Sequence, residues 1–445
     1  MKRYAKYKDS GVAWIGEVPS DWNVNRLGYL GTLSAGGVDK KTVEGETLVK
    51  SVHYMNVYRA SLQEILNSDE YLIVSATPQK LANCTLNEGD VLFTTSSETP
   101  EDIGHSCVVG ESLQNTLFGY HLMRFRPSTK MALNYQKYAF GAYYIRKWFE
   151  YRAIGMTRYG IASRDFSDAT MIIPPVEAQQ RIADYLDRKT AAINAVIADK
   201  QKLVELLGEK RNAVISEAVT KGLDKTAKMK DSGIEWIGKI PAHWNAKKLS
   251  YCAEVQTGPF GSQLHSEDYV EAGTPIITVE HFGEGFILHK NLPMVSDADA
   301  KRLSKYTLHE NDLVFSRVGS VDRCVIVTEK EDEWLFSGRC LRVHFDEQSE
   351  IFPAYVNRFF SMKHFREYML LVAVGATMPS INTTILNNVP MPVPPIDEQM
   401  HIVDYLDQKT AQIDALISDI NEQIEKLKEY RQAVISEAVT GKVAV

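Results

Sequence analysis

AVISEAVT occupies Ala213–Thr220 and returns letter for letter at Ala433–Thr440, an offset of 220 residues. The match extends backwards, PPVEAQQRIADYLDRKTAAINAVI from Pro174 facing PPIDEQMHIVDYLDQKTAQIDALI from Pro394. Paired prolines can precede a helix but not sit inside one, and Glu177 or Asp397 follows where the helix dipole favours an acid. Spacings of three and four mark an apolar seam: Ile193, Ile197, Val204, Leu207 and Val214 in the first copy. Ile413, Ile417, Ile420, Ile424, Leu427 and Val434 mark it in the second, and Lys200 interrupts the first copy where Ile420 stands in the second. A helix of about 44 residues reaches roughly 66 Å. So long an apolar stripe needs a partner, and the other copy, running antiparallel, is the natural one. The plainer reading packs each helix on its own domain. Thr190 also allows a helix break within Asp187–Thr190.

The chain of 445 residues has room for two or three domains. At 44% hydrophobic, 24% charged and net charge −7 it is expected to fold, and it carries no global nucleic-acid signature. No apolar run nears membrane-spanning length and MKRYAKYKDSG lacks a secretion signal's apolar core, so a cytoplasmic protein without membrane contact is expected. Five scattered cysteines without CxxC spacing read as reduced thiols.

The opening KDSGVAWIGEVPSDWN at Lys8–Asn23 recurs as KDSGIEWIGKIPAHWN at Lys230–Asn245. Its Trp14, Trp22, Trp236 and Trp244 read as buried anchors, with stacking on bases the alternative. Thr220 reaches Lys230 in ten steps, at most ~36 Å, so equivalent halves place Thr440 near Lys8 and make the chain quasi-circular. The expected order is a leading segment at 1–20, a variable region at 21–175 and a helical spacer at 176–222. The second set follows as a leading segment at 223–242, a variable region at 243–395 and a helical spacer at 396–445.

Within the variable regions LNEGDVLF at Leu86–Phe93 matches LHENDLVF at Leu308–Phe315, a turn and then an apolar strand. Phe93 and Phe315 stand 222 apart but Cys107 and Cys324 only 217, so the first copy's loop is five residues longer. Strands are expected at Leu122–Pro127 and Cys340–Phe345, and helices around Asn134–Phe149 and Ala354–Met369. Each region closes on a Gly-x-Thr turn, GMTRYGIASRDF from Gly155 and GATMPSINTTIL from Gly375. The fold class is therefore α+β: two mixed β-sheet domains with helices, separated by a long antiparallel two-helix coiled coil in a pseudo-twofold repeat.

Catalytic signatures are missing: no GxxxxGK[ST], HExxH, zinc spacing or GxSxG. The positive signal lies between Arg124 and Arg164, where nine Lys and Arg meet the single acid Glu150, with seven Tyr and Trp interleaved. Clustered cations displace counterions from a phosphate backbone, and Arg reads guanine edges. For the aromatics the favoured reading is a helix with its rings facing the core and its cations in water, whereas Arg158, Tyr159 and Arg164, in a Gly-rich turn, read as ligand contacts. Candidate DNA contacts in the first region are Thr95, Ser96, Ser97, Arg124, Arg126, Arg146, Thr157, Arg158, Tyr159 and Arg164. In the second they are Thr257, Ser262, Gln263, Arg317, Ser320, Arg323, Thr377, Ser380 and Asn382, from loops that are equally plain turns. No catalytic or metal-ligating residue is singled out.

The KDSGxxWIGxxPxxW segments, PPxxxQxxIxxYLD helix starts, Gly-x-Thr turns and AVISEAVT helix ends, twice in one order, give the chain its resemblance. It resembles the specificity subunit of type I restriction–modification systems over nearly its full length. The resemblance implies two target recognition domains, each reading one half of a bipartite, asymmetric site in double-stranded DNA. It implies helices that dock two methyltransferase (modification) subunits, and restriction/translocase subunits joined through the complex. No cofactor is then expected in this chain, S-adenosylmethionine and ATP belonging to the partner subunits. Two other readings remain: an enzyme with an unrecognised site, and a coiled-coil adaptor without DNA contact.

Overall fold

The computed structural model describes residues 3–59, 64–259, 263–346, 348–375 and 377–445; Ser262 lies outside the described residues. The chain forms two units, Met1–Gln201 with Glu422–Val445, and Lys202–Asn421. Each is α+β, and the two share a central strand order while differing at their sheet edges.

In the first unit a five-stranded sheet runs Gly31–Ser34, Leu122–Pro127, Val91–Thr94, Ser106–Val109, Glu64–Ile65. A four-stranded sheet runs Leu72–Ala76, Thr47–Val52, Leu113–Phe118, Thr85–Leu86. The strand of LNEGDVLF is apolar at every position because it is buried on both faces. Val91 and Phe93 enter one core with Phe125, Phe149 and Phe166, while Leu92 enters the other with Val52, Cys107 and Phe118.

The second unit places Glu254–Thr257, Cys340–His344, Leu313–Ser316 and Cys324–Ile326 in the same order. Leu313 and Phe315 face one core and Val314 the other, as in the first unit. The turns before these strands take the same left-handed backbone, with φ +83° at Gly89 and +71° at Asn311. Asn is the non-glycine residue that tolerates this region, so the two sequences reach one geometry by different residues.

The helices expected at Asn134–Phe149 and Ala354–Met369 are each broken in two. The pairs are Leu133–Phe140 with Tyr143–Arg152, and Pro353–Ser361 with Lys363–Val372. Ala142 and Met362 are extended (ψ 148° and 146°), so each second helix restarts on a new axis.

The long helices are α1, Val176–Lys221, and α2, Ile396–Val439. The break allowed at Asp187–Thr190 does not occur. The hydroxyl of Thr190 instead donates back to the Leu186 carbonyl at 2.7 Å, as Thr410 does to Leu406 at 2.8 Å. Within the first unit Lys200 meets Gln423 and Asn194 meets Arg431, so the helices run antiparallel there. Lys200, the residue out of pattern, thus donates to Gln423 Oε1 at 2.6 Å. Within the second unit Arg211 forks onto Asp414 at 2.8 and 3.1 Å, while Ile215 and Val219 share a core with Ile402 and Leu406. Of the seam positions, Ile193, Ile197, Ile413, Ile420, Ile424 and Val434 are buried; Val204, Leu207, Val214, Ile417 and Leu427 are half-buried.

Each helix start is tied to its sheet domain by the Gln of the PPxxxQ motif. Buried Gln179 donates to the Pro174 carbonyl (2.8 Å) and accepts from Ala132 N (2.8 Å); Gln399 does so with Pro394 (2.9 Å) and Phe352 (2.8 Å). Of the four tryptophans expected as buried anchors, Trp22 and Trp244 are fully buried and Trp236 half-buried, whereas Trp14 is 54% exposed. The leading segment sits on the end of α2, with Tyr7 OH donating to the Gly441 carbonyl at 2.9 Å and Lys442 Nζ to that of Glu17 at 2.6 Å. The expected proximity of Thr440 to Lys8 is thereby met by their immediate neighbours.

Candidate nucleic-acid interface

The loop that leaves Val91–Thr94 is caught by the Gly-x-Thr hairpin. Ser96 and Ser97 pair antiparallel with Gly160 and Tyr159, and Tyr159 in turn with Gly155. Ile161 N donates to the Thr95 carbonyl at 3.1 Å, and Thr95 Oγ1 to that of His121 at 3.0 Å. Beside this ladder opens a cleft of about 540 Å³ lined by Lys40, Tyr54, Tyr58, Ser96, Ser97 and Arg158, among others. Tyr54 and Tyr58 stack at 5.6 Å, and Asp102 holds His105 at 2.9 Å. Arg158 is exposed and makes no hydrogen bond or ion pair among the described residues. Burial lowers the His121 pKa, and the nearby Arg158 and Lys40 push it the same way.

His53 is the N-cap residue of the helix that carries Tyr54 and Tyr58. Burial, with Lys40 and His121, lowers its pKa from 6.5 to about 4. The folded form therefore binds fewer protons than the unfolded one between those values. Its stabilising share is complete above 6.5 and falls as pH drops towards 4. Hydrogen-exchange protection of residues 47–58, taken relative to the intrinsic rate at each pH, should fall on acidification through this window, and His53→Gln should flatten that dependence.

The other arginines of the basic window are held by the protein itself. Arg124 is buried and donates to the carbonyls of Asn83 and Thr85 (3.1 and 2.7 Å) and to Ser34 Oγ. Arg126 forks onto buried Asp90 at 2.7 and 2.6 Å. Arg146 donates to the Glu101 carbonyl at 2.9 Å beside the cleft, and Arg164, largely exposed, lies 3.5 Å from Asp168. Thr157 is exposed on the hairpin.

The second unit builds the same crossing. Val318 and Val374 both pair with Ser380, and Ile381 N donates to the Arg317 carbonyl at 2.9 Å. Ser320 and Thr377 are exposed, and Arg323 is half-buried. The Arg317 guanidinium donates to the Gly338 carbonyl at 3.0 Å, and Ser380 Oγ to that of Val374 at 3.2 Å. Asn382 caps a short helix through Ile385 N at 2.9 Å, and Gln263 accepts from Tyr306 OH at 2.8 Å. Thr257 ends a strand, paired with Leu341. The structure thus gathers Thr95, Ser96, Ser97, Arg158 and Tyr159 at one crossing, and Arg317, Ser320, Thr377 and Ser380 at the other. It sets Arg124, Arg126, Gln263 and Asn382 to internal bonds. Lys40, Tyr54, Tyr58 and His121 were missed because they converge from segments without any local basic signal. Among the described residues no group of three or more His, Cys, Asp or Glu could hold a metal ion, and no helix is long and apolar enough to cross a membrane.

An internally duplicated scaffold with two alike frames and two unlike binding loops is the class of protein defined by this architecture. The family described as "Type I restriction modification DNA specificity domain" matches residues 19–206 and 241–426, and the chain belongs to it. That family is one of specificity subunits, with a DNA-recognition role rather than a catalytic one. Over 289 residues the chain is 23% identical to the type I restriction enzyme EcoBI specificity subunit of Escherichia coli, covering 64% of this chain and 60% of that one. It is 22% identical to the EcoKI specificity subunit of Escherichia coli K12, covering 96% and 90%. The chain thus spans about three fifths of the first of these relatives and most of the second. A chain from a solved type I R-M system shares the fold, with TM-score 0.72 at 17% identity and 96% and 99% coverage.

Proposed function

We propose that residues 21–175 and 243–395 are target recognition domains, each reading one half of a bipartite, asymmetric site in double-stranded DNA. The helical spacers 176–222 and 396–445 dock two methyltransferase subunits. Restriction/translocase subunits join through the complex. S-adenosylmethionine and ATP act in the partners, and the assembly works in the cytoplasm. The observation that carries this reading is the crossing of loop and hairpin, built twice on one frame but with different side chains. Ser96, Ser97 and Arg158 stand in the first where Val318, Gly319 and Met378 stand in the second. A shared frame with divergent loops is how one scaffold presents two specificities. Docking by the helices is supported by apolar side chains outside the seam, Val196 (44% exposed) and its counterpart Leu416 (52%).

Exchanging Asp21–Pro175 for the equivalent region of a relative is expected to change one half of the methylated sequence and leave the other intact. Methylome sequencing reads this directly, and simultaneous change of both halves refutes the modular reading.

A further inference from the structure

We propose that Glu98 and Arg158 together read a G·C base pair in the half-site of the first recognition domain, Glu98 accepting from the exocyclic amino group of cytosine. The proposal rests on the reading of residues 21–175 as a DNA-recognition domain. Ser96 faces Gly160 and Ser97 faces Tyr159, so the same register sets Glu98 opposite Arg158 where the ladder stops. Both side chains line the cleft of about 540 Å³. Both are exposed, and neither has a hydrogen bond or ion pair among the described residues. The other acid of the cleft is committed to the protein, Asp102 holding His105 at 2.9 Å. Glu98 is therefore the carboxylate left to an incoming ligand.

A carboxylate amid Lys40 and Arg158 opposes binding to a phosphate backbone. A hydrogen-bond donor on the ligand compensates for it. In the major groove cytosine presents an amino donor at N4 and guanine presents acceptors at N7 and O6, so an acceptor beside an Arg fork matches a G·C pair. An exposed Glu–Arg attraction contributes little and yields readily to such a partner. The second unit has Ser320 and Met378 at these places, so its half-site is read there by other chemistry.

The test is methylome sequencing of cells carrying the full complex with the wild-type chain, Glu98→Ala, Glu98→Gln, Arg158→Ala or the Asp21–Pro175 exchange. The wild-type motif should hold an invariant G·C pair in the half altered by the exchange. Glu98→Ala and Arg158→Ala should relax that one position, with methylation of the original site down about tenfold or more and the other half unchanged. Glu98→Gln, which keeps an acceptor oxygen, should retain part of the discrimination. The proposal is overturned if Glu98→Ala leaves the motif intact, or raises methylation alike at all sites as relief of phosphate repulsion would. It is also overturned if that half holds no invariant G·C pair. In each case a half-motif still altered by the exchange leaves the domain reading standing, whereas an exchange that alters neither half removes that reading itself.

Discussion

Asp90→Ala and Asp312→Ala should each loosen one unit and spare the other. Both carboxylates are 1% exposed and follow equivalent turns. Asp90 accepts from Asn87 N at 2.8 Å and from both ends of the Arg126 fork. Asp312 accepts from His309 N at 2.9 Å, pairs with His344 Nδ1 at 2.6 Å and has Arg342 at 3.9 Å. Breaking a buried pair from one side costs about 3–5 kcal/mol, because the abandoned charge stays desolvated. Arg126 is about a third exposed and rehydrates in part, while Arg342 is only 12% exposed. Asp312→Ala should therefore lie at the upper end of that range and Asp90→Ala at or below the lower. Two units need not unfold together, so the measurement is hydrogen exchange in each. Residues 91–94 and 122–127 should respond to the first variant, and residues 313–316 and 340–344 to the second. Equal loosening of both units by either variant would count against this account.

The same aspartates show where reading the chain as a string succeeds and fails. The strand of LNEGDVLF was legible because burial on both faces demands an unbroken apolar run, and a turn residue marks its start. The helix pair was legible because a three–four spacing has one geometric meaning. The basic window was not. Counting charge between Arg124 and Arg164 cannot see Asp90 or Asp187, which lie outside that stretch and neutralise Arg126 and Lys137. Asp165 and Asp168, just past its end, lie 3.7 Å from Arg152 and 3.5 Å from Arg164. Arg124 was unreadable for another reason. Its bond to the Thr85 carbonyl is repeated by Arg342 and Thr307 at 2.6 Å, a fold-holding role that the sequence alone does not separate from a recognition role. Arg158 stands apart only when the partners of its neighbours are known. The Gln of PPxxxQ stood in plain view as a repeat, but its two bonds to distant backbone appear only in the fold.

The leading segments permit a sharper comparison, since Trp22 and Trp244 occupy one position in two chemical settings. Each is fully buried, and each packs on a glycine turn at the end of a long helix. Gly441 and Gly222 hold φ near +71° and +72°, and a β-carbon there would approach the indole to 3.1 Å in both. Trp22→Ala and Trp244→Ala should each cost about 3–5 kcal/mol. The Phe variants should differ. Trp244 Nε1 donates to Glu398 Oε2 at 3.0 Å, the oxygen that also meets His243 at 2.9 Å, whereas Trp22 Nε1 has no partner among the described residues. Trp244→Phe removes a hydrogen bond to a charged acceptor, about 1.5–3 kcal/mol, beyond the small change in volume. Trp22→Phe removes an indole N–H without a bond and should cost less, its edge contact with Tyr4 at 5.4 Å being one that Phe can keep. Limited proteolysis after Lys8 and after Lys230 reads the release of each segment separately. Phe variants that free both segments equally would mean that the Glu398 bond adds nothing to the anchor.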